Sequence, residues 1–131
     1  MVSQAVRVLV VEDNDQLNDV LLWYLLDADC EVATALNGQE ALRCLKDGDF
    51  DVVLTDLVMP GMSGVALLRE IRESGSDLPV VFLSAYAQQL DREELRQLGV
   101  TRVFAKPVDL EKVVGAIKDE AQQRAAPSCG G

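Results

Sequence analysis

The sequence predicts an α/β fold: a five-stranded parallel sheet flanked by five helices, doubly wound as (βα)5, in a single domain. Three observations carry this expectation. Short, almost wholly apolar runs recur along the chain: Val8-Leu9-Val10-Val11, Val52-Val53-Leu54-Thr55, Val80-Val81-Phe82-Leu83 and Val103-Phe104-Ala105. Their length and β-branched content, with polar residues at each boundary, fit strands buried on both faces, as in a parallel sheet. Between them lie stretches with apolar residues at helical spacing, with no repeat and no internal linker. Finally, 131 residues, 49% of them hydrophobic, suffice for one sizeable core and are too few for two ordinary domains.

The elements follow in order. After the first strand, Asn14 or Asp15 can cap a helix in which Leu17, Val20, Leu21, Tyr24, Leu25 and Ala28 recur on one side. Glu31 to Leu36 reads as a second strand, ended by Asn37-Gly38. Gln39 to Leu45 is a short helix carrying Ala41, Leu42 and Leu45, stopped by Asp47-Gly48. The third strand runs from Asp51 to Thr55, and a loop follows from Met59 to Gly64. Val65 to Glu73 is the third helix, and Pro79 opens the fourth strand. Gln88 to Leu98 is the fourth helix, closed by Gly99, and Thr101 to Ala105 the fifth strand. Lys106-Pro107 forms a turn, and Asp109 caps a last helix bearing Leu110, Val113, Val114 and Ile117. The apolar period ends at Gln122, so the domain is expected over residues 1–121, with 122–131 as a tail or the start of a linker.

Composition narrows the function. A formal net charge of -10 argues against nucleic acid as a direct partner, because a phosphate backbone demands clustered Lys and Arg. No apolar run approaches the ~18 residues of a membrane span, and Met1 to Val6 lacks the basic start of a secretory signal. Cys30, Cys44 and Cys129 form no C-x-x-C pair and fit a reducing cytoplasm. The chain has no His, which excludes Ser-His-Asp and Cys-His catalysis and His-ligated zinc.

In an open parallel sheet, ligands bind outside the carboxyl ends of the strands. The residues at those ends are Glu12-Asp13, Asp56, Ser84 and Lys106. Three facing carboxylates repel one another, and a divalent cation relieves the repulsion. Oxygen-only ligands favour Mg²⁺, with Mn²⁺ able to substitute. One carboxylate can then attack phosphorus and form an acyl phosphate. Lys106 can pair with phosphoryl oxygens as a point charge, and the Ser84 hydroxyl can donate to another. Taken singly, each residue is an ordinary cap, turn or surface residue. Their coincidence at strand ends, in the order acid pair, acid, hydroxyl, lysine, is what points to phosphoryl chemistry.

These residues sit in longer motifs: Val10-Val11-Glu12-Asp13-Asn14, Asn37-Gly38-Gln39-Glu40-Ala41-Leu42, Asp56-Leu57-Val58-Met59-Pro60-Gly61-Met62-Ser63-Gly64, Leu83-Ser84-Ala85 and Lys106-Pro107. With them, residues 6 to 121 resemble the receiver domain of bacterial two-component response regulators, a CheY-like family with a flavodoxin-like fold. The resemblance implies that Asp56 accepts a phosphoryl group from a histidine kinase or a histidine phosphotransfer protein. Asp13 and Asp56 would ligate Mg²⁺ directly, with the backbone carbonyl of Val58, and Glu12 would act mainly through a bound water. Ser84 and Lys106 would bind the phosphoryl group and relay its presence. Such a chain is a phosphoacceptor signalling domain, not an ordinary enzyme, although it catalyses its own phosphorylation and dephosphorylation. Output to a downstream protein or output domain would use the fourth helix, fifth strand and fifth helix, and phosphorylation could also drive formation of a dimer. The Lys106-Pro107 bond is expected to be cis.

Two competitors share the fold class. A haloacid dehalogenase-type phosphatase needs a second Asp two residues after its nucleophile, where this chain has Val58. A flavodoxin-like binding module needs a Ser/Thr/Gly-rich phosphate loop, where Glu12-Asp13-Asn14-Asp15 would repel phosphate. The chain also departs from the family's pattern. Cys30 replaces a common Gly. Val103 occupies the usual place of an aromatic switch residue, and Phe104, one residue on, should point to the other face. Tyr86, two after Ser84, should shield the phosphoryl group from water. Leu22, Trp23 and Leu26 should form an exposed docking face on the first helix.

Overall fold

The computed structural model describes residues 5–85, 92–100 and 102–125. Its elements are β1 (Arg7–Val11), α1 (Asp15–Asp27), β2 (Glu31–Ala35), α2 (Gly38–Asp47), β3 (Val52–Asp56), α3 (Gly64–Glu73), β4 (Val80–Ser84), α4 (Arg92–Gln97), β5 (Arg102–Ala105) and α5 (Leu110–Ala125). The strands form one parallel sheet in the order β2-β1-β3-β4-β5. The chain moves outward from β1 to β2, then returns past β1 to β3 and continues the other way. The reversal puts the crevice at the carboxyl ends of β1 and β3.

Alternation along the strands builds two cores. Leu9, Val11, Val53, Val80 and Phe82 face α2, α3 and α4, meeting Ala41, Leu67, Leu68, Ile71 and Leu95. Val8, Val10, Val52, Leu54, Val81 and Leu83 face α1 and α5, meeting Leu21, Leu25, Val113 and Ile117. Apolar residues thus cover both faces, which is why the strands read as continuous apolar runs. Val103 packs with the first cluster and Phe104 with the second, so the two do point to opposite faces.

Helix starts follow their caps. Asn14, Asn37 and Ser63 each accept a backbone N–H of the helix they begin, from Leu17, Glu40 and Ala66. Asp109 accepts from Glu111 and Lys112 at the start of α5. The Asn37 cap starts α2 one residue earlier than the apolar pattern indicates, and α2 ends at Asp47. Helix α5 continues to Ala125, beyond the last apolar period. The Lys106-Pro107 bond is cis.

Helix α1 differs from its sequence pattern. Its buried residues are Asn18, Leu21 and Leu25, whereas Val20 is 41% exposed. At ~100° per residue, Asn18, Leu21 and Leu25 lie within ~60° of one another, and Val20 is turned ~100° from Leu21. Trp23 and Leu26 are exposed, while Leu22 is only half-buried. The exposed apolar surface of α1 is therefore Val20, Trp23 and Leu26.

Candidate functional site

Each strand ends by placing one chemical group at the same sheet edge. Val11 pairs with Ala35 and Thr55, so Glu12 and Asp13 leave β1 beside the end of β3. Asp56 closes β3 opposite Leu83, and Ser84 closes β4 opposite Ala105. Lys106 follows β5, its N–H donating to the Ser84 carbonyl at 2.9 Å. Its long stem carries the ammonium past β4 to the acids of β3 and β1.

The structure brings the sequence-identified acids together. Glu12, Asp13 and Asp56 each offer a carboxylate oxygen, all within 4.8 Å of one another. Glu12 and Asp56 are buried, and Asp13 is exposed. Lys106 Nζ lies 2.8 Å from Asp56 Oδ2 and 3.0 Å from Glu12 Oε1. The other Glu12 oxygen accepts the Asn14 N–H at 3.1 Å. Asp56 Oδ1 accepts the Val58 N–H at 3.3 Å. Ser84 is fully buried at the adjoining strand end.

Charge explains what this cluster can hold. With all three carboxylates ionised, the Lys106 ammonium leaves a surplus of two negative charges, matched by one divalent cation. Burial raises the Glu12 carboxyl above its ordinary value, with Asp56 reinforcing the shift and the Asn14 N–H and Lys106 opposing it. For Lys106, burial favours loss of the proton, but hydrogen bonds to Asp56 and Glu12 outweigh it and hold the ammonium above its ordinary value. The donors are oxygen only, one of them open to solvent, a set suited to a hard cation that keeps waters.

Three supporting residues escape a search for reactive groups. Asn18 is buried in α1 and donates to the Glu12 carbonyl at 3.0 Å; its spacing of three and seven from Leu21 and Leu25 was the signal. Gly64 opens α3 against the backbone of β3, and a Cβ there would lie 2.5 Å from the Asp56 carbonyl oxygen. A glycine at a first helical position, directly after the Ser63 cap, marks that close approach. Arg72 donates to the carbonyls of Leu98, Ser76 and Leu78 at 2.7, 3.2 and 2.8 Å, tying α3 to the end of α4; nothing in the sequence pattern singles it out. Tyr86 lies outside the described residues. A cavity of about 470 Å³ lined by Leu42, Leu45, Phe50, Ile71 and Leu78 lies near the opposite sheet edge, before β3 and β4.

Comparison with known proteins gives a consistent picture. The profile of the response regulator receiver domain matches residues 8–118. The transcriptional regulatory protein DltR of Streptococcus agalactiae is 31% identical over 117 residues, covering 89% of this chain and 52% of that protein. The uncharacterized transcriptional regulatory protein YrkP of Bacillus subtilis is 38% identical over 109 residues, covering 83% and 46%. The chain thus spans about half the length of the curated relatives it matches. Among solved structures, the response regulator TrrA of Thermotoga maritima, in complex with Mg²⁺ and beryllium fluoride, aligns with a TM-score of 0.77 and 30% identity over 88% of this chain and 98% of that one. The receiver domain of a sensor histidine kinase from Pseudomonas aeruginosa, with magnesium in its active-site cleft, gives 0.79 and 29% over 90% and 98%. Among the described residues, no helix is long and apolar enough to cross a membrane.

Proposed function

Because this chain belongs to the response regulator receiver family, we propose that it accepts a phosphoryl group on Asp56 from a histidine kinase or phosphotransfer protein and thereby switches the binding of a partner. The single observation that carries this is the Asp56 carboxylate, buried between a Lys106 ammonium at 2.8 Å and two further carboxylates. A buried aspartate so placed has one oxygen held by Lys106 and the other by the Val58 N–H, so its orientation toward an incoming phosphorus is fixed.

In the proposed step, an Asp56 oxygen forms the O–P bond as the donor's P–N bond breaks, and the departing imidazole keeps the electron pair. Asp13, Asp56 and the Val58 carbonyl would hold Mg²⁺, which when bound offsets charge on the transferring group. Glu12, whose oxygens accept from Lys106 and the Asn14 N–H, would act on the metal mainly through a bound water. Lys106 pairs with the new phosphoryl oxygens, and buried Ser84 supplies a hydroxyl at the neighbouring strand end. Signal then passes through Ser84 and the region of α4, and a swing of Phe104 plays little part, since Phe104 packs against the α1 and α5 side. The exposed Trp23 and Leu26, with Val20, give α1 an apolar surface for the donor protein. Tyr86 slows loss of the phosphoryl group.

The test separates a phosphoacceptor from a phosphatase. With Mg²⁺ and a small phosphodonor, the chain should take up label to about one group per molecule, and it should not turn over small phosphate esters. Sustained ester hydrolysis without stoichiometric labelling would overturn the proposal.

A further inference from the structure

We infer that Asn18 is a positioning residue for the acidic cluster, locking the peptide that joins Glu12 to Asp13. This rests on the proposed metal-binding role of those acids. The β1–β2 ladder ends at Val11 and Ala35, and the Glu12 N–H extends it by one bond, 3.1 Å to the Ala35 carbonyl. Glu12 is wholly buried and lies past the end of β1, where its carbonyl needs a donor from elsewhere. Asn18 supplies it: Nδ2 lies 3.0 Å from the Glu12 carbonyl and 3.4 Å from that of Ala35. One side-chain amide therefore ties the ends of β1 and β2 to the first turn of α1.

An aliphatic side chain at position 18 would pack with Leu21 and Leu25 without the cost of burying an amide. What it could not do is fix a peptide plane. The Glu12 and Asp13 carboxylates leave from the residues on either side of that plane, so its rotation turns both. Without the amide, the buried Glu12 carbonyl lacks this donor and the peptide is driven to turn toward water.

Metal chemistry gives a readout that folding alone does not. Mg²⁺ demands near-ideal octahedral geometry, whereas Ca²⁺ accepts longer, irregular contacts. Misplaced acids should therefore weaken Mg²⁺ far more than Ca²⁺. The experiment titrates wild type, Asn18→Leu, Asn18→Ala and Asp13→Asn with each ion by calorimetry, with thermal unfolding alongside. Loss of supporting hydrogen bonds costs metal sites roughly 10- to 100-fold in affinity, so the Mg²⁺ Kd of both Asn18 variants should rise about tenfold or more. The Ca²⁺ Kd should change by no more than about threefold. If Asn18→Leu fails to fold, Asn18→Ala decides, because the smaller side chain relieves any misfit. Equal weakening of both ions, or unchanged Mg²⁺ affinity, overturns the inference while Asp13→Asn still loses Mg²⁺. Unchanged Mg²⁺ affinity in Asp13→Asn overturns the metal site itself.

Discussion

Replacing Gly64 with Ala should damage phosphorylation more than it damages the fold. The new Cβ would sit 2.5 Å from the Asp56 carbonyl oxygen and 2.9 Å from Leu57 Cα, both backbone atoms. Ordinary contact begins at 3.4 Å, so about 0.9 Å of relief is needed. Strand β3 cannot supply it, being paired on both sides by β1 and β4. The start of α3 must yield instead, stretching the 2.8 Å bond from the Gly64 N–H to the Leu57 carbonyl. That shift drags Leu57 and Val58, and the Val58 N–H then loses its hold on Asp56. Overpacking costs about 1–3 kcal/mol. Alanine's better helix propensity returns up to about 1 kcal/mol, less at a first helical turn. The net loss is about 1–2 kcal/mol, lowering Tm by about 4–8 °C for a chain of this size. Misplacement on the order of 1 Å can cost roughly 100-fold in rate, so phosphorylation by a small donor with Mg²⁺ should slow about 10- to 100-fold. Calorimetry and initial labelling rates measure the two effects. An unchanged Tm together with an unchanged rate would refute the reasoning.

Other perturbations test separate parts of the structure. Arg72→Ala leaves three carbonyls without their guanidinium donor and should cost about 2–4 kcal/mol, read as a lower urea midpoint at constant slope; an unmoved midpoint would count against the clamp. Replacing Trp23 and Leu26 together with Ser should cut transfer from a donor kinase about tenfold or more while sparing small-donor labelling; equal loss in both reactions would indicate a folding defect. Lys106 has a folded pKa above its ordinary 10.5, so its contribution to stability is complete below that value and lost as pH rises through the folded pKa. On titration upward from neutral pH, the Tm gap between wild type and Lys106→Met in metal-free buffer should accordingly narrow above about pH 10.5; a gap that closes on that titration before this pH is reached would contradict the ion-pair assignment.

The fold was legible because its strands are buried on both faces. Runs such as Val80 to Leu83 leave no other economical reading, and the cap residues Asn14 and Asp109 mark helix starts directly, whereas the Asn37 cap is seen only in the structure. The site was legible for a related reason: a parallel sheet collects its strand ends, so Glu12, Asp13, Asp56 and Lys106 could be grouped before any contact was known. Supporting residues were harder. Arg72 acts through backbone carbonyls that have no sequence signature. Val20 fits an apolar period but lies to one side of the narrow stripe that α1 buries, and only the packing reveals that. Asn18 is polar and so falls outside an apolar period, although its position on the buried stripe of α1 is the informative part.

The most direct test of the central claim is to identify the phosphorylated atom. The chain is treated with a small phosphodonor and Mg²⁺, reduced with borohydride, digested and sequenced by mass spectrometry. Borohydride converts an aspartyl phosphate to homoserine, so the product should carry homoserine at position 56 and nowhere else, and Asp56→Asn should give none. Homoserine at Asp13 or another carboxylate, or undiminished labelling of Asp56→Asn, would contradict the account.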